Sequence, residues 1–491
     1  MKLEEIVQNQ TFKLLQGTLS CEIGSIVYDS RQARPGSLFV CIKGFQTDGH
    51  LYVHQAVELG AVAVLLEEEL ALPGHLTVVQ SPDTRKALSA SASIFNGMPS
   101  QHLDLVGVTG TNGKTTVTYL VKEILNHAGK KTGLIGTITN WIGDRQIQTI
   151  RTTPESVDFQ RLLKQMVDEQ VTACVMEVSS HSLALERVNH TEFHTGVFTN
   201  LTEDHLDFHA SMEAYYQEKK RLFTMTKHNN LLNIDDEYGR RMAEELRSEG
   251  YPIITYGMSD DSDLQAMDSI LALNCVSFYA KGLEIDRKVT LPIPGKFSVY
   301  NALAAIGAAR SLGIDPDTIC EALKVVNGVP GRLEQISEYT DFGVVVDYAH
   351  TPDALENVLK TIRQFTENRI ITVFGCGGDR DKNKRPLMGK ISGELSDISI
   401  LTSDNPRSED PMEILSMIEM GIRETKGTYQ LIENRKDAIK EALLLAKRGD
   451  VVLIAGKGHE TTQTIGHVTT HFDDREVARL LAREAGIHEG C

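Results

Sequence analysis

Val106-Gly107-Val108-Thr109-Gly110-Thr111-Asn112-Gly113-Lys114-Thr115-Thr116 decides how this chain is read. The apolar run Leu103 to Val108 predicts a buried strand, and Val117 to His127 predicts a helix. Between them lies a glycine-rich turn. Strand, turn and helix N-terminus form a phosphate cradle: backbone N–H groups face the anion and the helix dipole adds partial positive charge. Lys114 can reach a terminal phosphate, and the hydroxyl of Thr115 or Thr116 can complete a Mg²⁺ shell. A bound nucleoside triphosphate is therefore expected. The pattern departs from G-x-x-x-x-G-K-[ST], because Val108 stands where the first glycine belongs and Gly107 comes one residue early. That departure argues against an ordinary P-loop kinase or GTPase.

Working outward, 491 residues should hold about three domains. A hydrophobic content of 41 % suits globular cores. Sixty-seven acidic side chains against 50 basic ones give a net charge of −17. This disfavours nucleic acid as the main partner, since phosphate backbones need clustered basic charge. A solvated acidic surface is the simpler meaning of that charge. The seven cysteines are scattered with no C-x-x-C pair and read as reduced thiols, neither a disulfide framework nor a zinc site. The N-terminus carries acids where a signal peptide would be apolar. No apolar run approaches the ~18 residues that cross a bilayer, so no membrane insertion and a cytoplasmic location are expected.

Apolar runs alternate with amphipathic helical stretches, which predicts α/β units with largely parallel sheets. Strands are expected at Ser25–Tyr28, Ser37–Ile42 and Ala61–Leu66. Beyond the phosphate loop they are expected at Thr172–Val178, Thr195–Thr199 and Asn230–Ile234. A third group comprises Gly343–Asp347, Arg369–Phe374, Asp397–Thr402 and Val451–Ala455, preceded by a linker at Pro330–Gly331. Polar motifs sit at the carboxyl ends of these strands: Glu177-Val178-Ser179-Ser180-His181, Asp347-Tyr348-Ala349-His350, Gly375 to Arg380, Asp404-Asn405-Pro406-Arg407 and Gly456-Lys457-Gly458-His459-Glu460. Open α/β sheets bind ligands at that edge, so a site in a cleft between two units is expected.

Each motif has a bland alternative. Glu177 can hold Mg²⁺ on a triphosphate, or face solvent at a strand end; the phosphate loop upstream favours the metal. Asn200 to His209 packs two histidines and three acids into ten residues, a density that suits an active-site loop. Within it His205 is the functional candidate and His209 reads as a hydrogen-bonded structural histidine. Met212–Phe223 looks like one helix, and on spacing alone Lys219 and Lys220 both read as solvated. Arg407 could clamp a carboxylate through two parallel N–H···O bonds or be an exposed turn arginine, with little to choose between them. Cys376 reads as a small residue in a tight loop.

Together these residues resemble the Mur ligases, ATP-dependent amide-forming enzymes of peptidoglycan synthesis. The resemblance rests on Gly110 to Thr116, Glu177 to His181, Asn200 to His209, Pro294-Gly295-Lys296-Phe297-Ser298-Val299-Tyr300-Asn301 and Gly331-Arg332-Leu333-Glu334. Asp29-Ser30-Arg31, Pro35 to Val40, Asp48-Gly49-His50, Asp347 to Pro352 and Phe472 to Glu476 resemble the branch that adds the third amino acid. It covers essentially the whole chain in order. It implies an N-terminal unit for the UDP end of the substrate (1–99), a central P-loop-type ATPase unit (100–333) and a C-terminal Rossmann-like unit for the incoming amino acid (334–491). A substrate carboxylate would attack the γ-phosphate of ATP, and an amine would then attack the acyl phosphate.

Carried over by position, the resemblance assigns Gly110, Thr111, Asn112, Gly113, Lys114, Thr115, Thr116, Asn301, Arg332 and Asp347 to ATP. Thr115 and Glu177 would be Mg²⁺ ligands, with His205 near a second metal. Ser30 would contact the uridine nucleotide; Thr152, Thr153, Ser179 and Arg187 would contact the muramoyl-dipeptide, although Leu185 stands where the family often has Gln. One family lysine is carbamylated; the spacing assigns this to Lys219, with Lys220 the alternative, overturning the solvated reading. Lys114, Lys219 and His205 are the catalytic candidates. Asp404, Asn405, Pro406 and Arg407 match the diaminopimelate-adding pattern: Arg407 would clamp the distal carboxylate, Asn405, Gly456 and Glu460 the distal ammonium, and Arg380 the other carboxylate. The expected partners are UDP-N-acetylmuramoyl-L-alanyl-D-glutamate and meso-diaminopimelate, acted on by a monomer. Two rivals differ in kind. A folylpolyglutamate-type ligase lacks the uridine-nucleotide segment, and an ATP-binding switch would show no turnover stimulated by a carboxylate substrate.

Overall fold

Three main sheets organise the chain in the computed structural model, which describes residues 1–44, 47–206, 208–272, 274–336 and 341–484. Asp207, inside the histidine-rich motif, and Cys491 lie outside the described residues. The first sheet has five strands. Ser25–Val27, Ser37–Val40, Ala61–Leu66 and Thr77–Gln80 run parallel, and Lys13–Gln16 closes the edge antiparallel.

The second sheet has eleven strands. At its centre Asp104–Thr109 lies between Ala173–Glu177 and Phe193–Phe198, all parallel. Thr132–Ile135 flanks them on one side, and Thr226–Asn233 and Ile253–Gly257 on the other. These central strands are buried on both faces, which is why they read as continuous apolar runs. One face carries the helices Lys114–His127 and Lys296–Ser311, with Val117, Leu120, Val121 and Ile124 in a common core with Val299, Leu303 and Ile306. The other face is filled by Phe159, Leu163, Phe193, Tyr215 and Phe223. Gly107 belongs to this packing: a Cβ there would lie 2.8 Å from the Phe193 ring.

The third sheet has six strands. Gly343–Asp347, Val451–Ala455, Ile370–Phe374, Ile398–Leu401 and Thr428–Leu431 are parallel, and the short Glu334–Gln335 is antiparallel. Apolar clusters cover both of its faces. Every strand anticipated in the sequence is present within a few residues. Two expectations need correction. The sheets are less uniformly parallel than expected, because Leu264–Leu271, Val276–Gly282 and Ile285–Leu291 form an antiparallel edge on the central sheet. The segment 212–223 is also not one helix: Met212–Lys220 is α-helical and Arg221–Thr224 tightens into a 3₁₀ turn. Among the described residues no helix is long and apolar enough to cross a membrane.

Candidate active site

The phosphate loop leaves the central strand at Thr109 and enters its helix at Lys114. Gly113 caps that helix at φ 87°, a left-handed conformation that a side chain would strain, and a Cβ there would lie 2.6 Å from Asn301 Oδ1. Asn301, on the neighbouring helix, is thereby held against the turn. Lys114 folds back, and its Nζ donates to the carbonyls of Gly110 at 2.9 Å and Thr111 at 2.8 Å. Burial pushes its ammonium pKa below the usual value, with Glu177 opposing the shift. Val108, where a glycine was absent from the motif, is simply a core position of the strand.

Glu177 ends the adjacent parallel strand at 1 % exposure, so the solvent-facing reading does not hold. Its carboxylate accepts from Thr115 Oγ1 at 3.0 Å, from Thr137 N at 2.8 Å and from Thr137 Oγ1 at 3.0 Å. Thr137, at the carboxyl end of Thr132–Ile135, was not singled out in the sequence, although strand-end position was the available signal. Thr115 and Glu177 together are hard oxygen donors of the kind Mg²⁺ takes. Arg332 reaches in from just beyond the turn at Pro330–Gly331. Its Nη2 lies 3.5 Å from Thr115 Oγ1, its guanidinium lies over Tyr348, and its buried Nε has no hydrogen-bond partner among the described residues. A half-buried guanidinium with an unused buried donor beside a phosphate loop fits a polyanionic ligand. Asp347 accepts from Leu333 N at 2.8 Å, next to Arg332; burial raises its carboxyl pKa and Arg332 opposes the rise.

Lys219 corrects the solvated reading from spacing. It is 1 % exposed, and its Nζ donates to the same Gly110 carbonyl as Lys114, at 2.8 Å. Burial pulls its pKa well below the usual lysine value, and the Lys114 charge adds to this. Lys220 points away, pairing with Glu245 at 3.0 Å and Glu249 at 2.7 Å. His205 is held at φ 55° in a group of rings, 4.9 Å from His181. His209 is 4 % exposed, contacts Ser180 Oγ at 2.9 Å and stacks on Tyr215, as expected of a structural histidine.

A polar path leads from Glu177 toward the first sheet. Thr137 and Thr152 hydroxyls meet at 3.0 Å, and Thr153 Oγ1 donates to the Glu177 carbonyl at 2.8 Å and to Ser179 Oγ at 3.3 Å. Arg187 donates to Thr153 O and to Glu155; burial lowers its pKa. Ser30 stands on the N-terminal unit, its hydroxyl donating to Gln55 Oε1 at 2.6 Å. Tyr28, two residues earlier, donates to Asp158 at 2.8 Å, which ties this segment to the helix following Thr153.

On the C-terminal sheet the Asp404–Arg407 loop faces Gly456–Glu460. Asn405 Nδ2 donates to Glu460 at 2.9 Å, and a Cβ on Gly456 would lie 2.7 Å from Asp404 Oδ2. Pro406 is buried, while Arg407 is half-buried at φ 51° and donates to Gly378 O at 2.6 Å, so it is not a free turn arginine. Arg380 is exposed and donates to its neighbour's carbonyl, Asp379 O; it borders a cavity of about 620 Å³ shared with Asp381, Lys382 and Glu409. Cys376 is buried in its loop, its thiol pushed up to about 12 by burial. The two sheets meet across this cleft. Asp353, which the sequence reading missed, accepts from Asn112 Nδ2 at 2.8 Å and Thr202 Oγ1 at 3.1 Å.

Fold and site thus define a three-unit α/β protein with a phosphate loop opening onto an interdomain cleft. Residues 22–103 match the Mur ligase family catalytic domain, 108–309 the Mur ligase middle domain and 331–458 the Mur ligase glutamate ligase domain. A relative from Alkaliphilus metalliredigens, named UDP-N-acetylmuramoyl-L-alanyl-D-glutamate--2,6-diaminopimelate ligase, is 50 % identical over 489 residues, covering 100 % of this chain and 99 % of its own. The protein of that name from Clostridioides difficile is 48 % identical, covering 97 % and 99 %. A solved structure of a ligase with the same name superposes with a TM-score of 0.72 at 32 % identity over 100 % of both chains. The chain belongs to the Mur ligase family, whose members are ATP-dependent amide ligases.

Proposed function

We propose that this ligase joins meso-diaminopimelate to UDP-N-acetylmuramoyl-L-alanyl-D-glutamate at the expense of ATP, in peptidoglycan precursor synthesis. The substrate names come from its relatives. What supports the reading most is the cleft in which Arg332, at the junction of the ATP and amino-acid units, comes within 3.5 Å of Thr115 on the phosphate loop. Residues 1–99, 100–333 and 334–491 are proposed as the UDP-substrate, ATP and amino-acid domains, working as a monomer in the cytoplasm.

In the first step an oxygen of the D-glutamate side-chain carboxylate attacks the γ-phosphorus of ATP, the bond to the β-phosphate oxygen breaks, and ADP leaves. Two anions must meet, so fixed cations are needed. Lys114 moves from the Gly110 and Thr111 carbonyls onto the β- and γ-phosphates, and the Gly110–Thr116 loop offers its N–H groups. The Arg332 Nε, without a partner among the described residues, turns to phosphate oxygen; Asn301 and Asp347 position the nucleoside. Thr115 and Glu177 would hold Mg²⁺, which supplies charge neutralisation on the triphosphate, and His205 stands where a second ion would be near. Burial pulls the Lys219 pKa down, which favours the neutral amine, the form that adds CO₂; as a carbamate it would carry negative charge toward the metal side. Thr152, Thr153, Ser179 and Arg187 orient the dipeptide, and Ser30 the uridine end. In the second step the amine of diaminopimelate attacks the acyl carbon, phosphate leaves, and the nitrogen loses a proton. Arg407 and Arg380 clamp the two carboxylates of the incoming amino acid, with Asp404, Asn405, Pro406, Gly456 and Glu460 around its distal end.

ADP release with ATP, Mg²⁺ and the UDP-dipeptide, with meso-diaminopimelate or L-lysine supplied in parallel, tests this directly. Turnover that requires diaminopimelate is expected. Turnover with lysine alone would overturn the amino-acid assignment, and none with either, in folded ATP-binding protein, would overturn the reaction.

A further inference from the structure

Lys457 lies inside the Gly456–Glu460 motif, yet neither the sequence reading nor the proposed reaction uses it. Its side chain is fully buried, 0 % exposed. Few lysines are buried without a task, because desolvating an ammonium is costly unless it is paired. Here Nζ donates to Thr462 O at 2.6 Å, to Glu460 Oε2 at 3.2 Å and to Asn405 Oδ1 at 3.4 Å. Two of these three acceptors are the side chains assigned above to the distal ammonium of the amino acid. The amide of Asn405 is thereby oriented. Its Oδ1 accepts from Lys457 and from Thr464 N at 3.0 Å, which leaves Nδ2 to donate to Glu460.

We propose that Lys457 sets the charge balance of the distal-end pocket, and so makes it select an amino acid with a zwitterionic terminus over one with a lone terminal ammonium. The inference rests on the amino-acid assignment made above. On the facing loops 404–407 and 456–460 the charged side chains are Asp404 and Glu460 against Arg407 and Lys457. The neighbouring Arg435 and Asp474 pair with each other and cancel. Two against two is a neutral pocket, matched to an end group bearing one carboxylate and one ammonium. Without the Lys457 charge the same pocket carries a net negative charge. It then repels the distal carboxylate and attracts the ω-ammonium of lysine. Lys457 is a positioning residue under this reading, acting through Glu460 and Asn405.

The test is steady-state kinetics of full-length Lys457→Met and Lys457→Gln with meso-diaminopimelate and L-lysine. The expected result is a kcat/KM ratio of diaminopimelate to lysine that falls about tenfold or more, carried by KM for the amino acid, with KM for ATP unchanged. A role limited to folding would lower both amino acids together, so an unchanged ratio overturns the proposal. Should both lysine variants fail to fold, Glu460→Gln carries the test at a third-exposed position. It removes a negative charge and is expected to move the ratio the other way; a lower or equal ratio there overturns the proposal. Wild-type enzyme run alongside separates the two failures: no diaminopimelate-dependent turnover refutes the assigned reaction, whereas normal turnover with unshifted variants refutes only the role of Lys457.

Discussion

Lys219 and Lys220 are neighbours in the chain and opposites in environment. One Nζ is sealed against the Gly110 carbonyl beside Lys114, and the other lies in a partly buried ion pair with two glutamates. Burial pulls the Lys219 pKa down, so between the folded and unfolded values the unfolded chain binds more proton there than the folded protein does. Stability therefore rises with pH between the depressed folded value and the ordinary lysine range, and falls on acidification through that window. Lys219→Met should flatten this dependence, as followed by denaturant titration across pH. The same variant should lack the ¹³C carbamate resonance that wild-type enzyme is expected to show in ¹³C-bicarbonate; a resonance that persists would move the adduct elsewhere. Lys114→Met removes the cation proposed to meet the γ-phosphate. It is expected to lower kcat about 10²–10³-fold in the ADP-release assay, by analogy with loss of one transition-state donor. Arg407→Ala should cost about 2–5 kcal/mol in kcat/KM for diaminopimelate, and much less for lysine.

Among the elements, the longer strands that are continuous apolar runs were legible: Gly343–Asp347, Val451–Ala455 and Ala61–Leu66 match their sequence limits residue for residue, whereas the short buried strands Thr77–Gln80 and Thr132–Ile135 were not named. Lys13–Gln16 and the antiparallel strands between 264 and 291 were not, since each is an edge or one-sided strand with polar residues facing water. The short 3₁₀ turn after Lys220 was equally hidden, because helical spacing does not distinguish three residues per turn from 3.6 over four residues. Beneath the strand ends of the C-terminal sheet, Arg435 and Asp474 are both 0 % exposed and paired through two bonds of 2.8 and 2.7 Å. Arg435 also donates to Ala455 O at 2.9 Å and Ser403 O at 3.4 Å, the carbonyls that precede loops 456–460 and 404–407. Asp474→Asn leaves that guanidinium short of its counter-charge. It should destabilise the protein by about 3–5 kcal/mol, read from urea unfolding.

At the scale of the whole molecule, the cleft is held by contacts between residues hundreds of positions apart. Asp353 begins the helix Pro352–Arg363, and its carboxylate takes hydrogen bonds from Asn112 and Thr202 across the cleft. Asp353→Ala should leave each unit folded but loosen the C-terminal unit on the phosphate loop, raising KM for ATP and the radius of gyration in solution scattering. Unchanged values of both would show that other contacts hold the cleft. Gly331 allows the chain to turn into this arrangement at φ 65°, where a Cβ would lie 2.1 Å from His459 N; burial pulls that histidine's pKa down to about 3, so it stays neutral at working pH.

The sequence by itself determined the phosphate loop, the parallel cores and the strand-end motifs. Each of these is written in local composition and period, which the backbone reads within a few residues. Tertiary structure alone decided which of two adjacent lysines is buried, that Thr137 and Thr115 share the Glu177 carboxylate, that Asp353 bridges the cleft, and that Lys457 lies against Glu460 and Asn405. Those outcomes depend on desolvation and on pairing between distant segments, and neither is encoded in the spacing of residues along the chain.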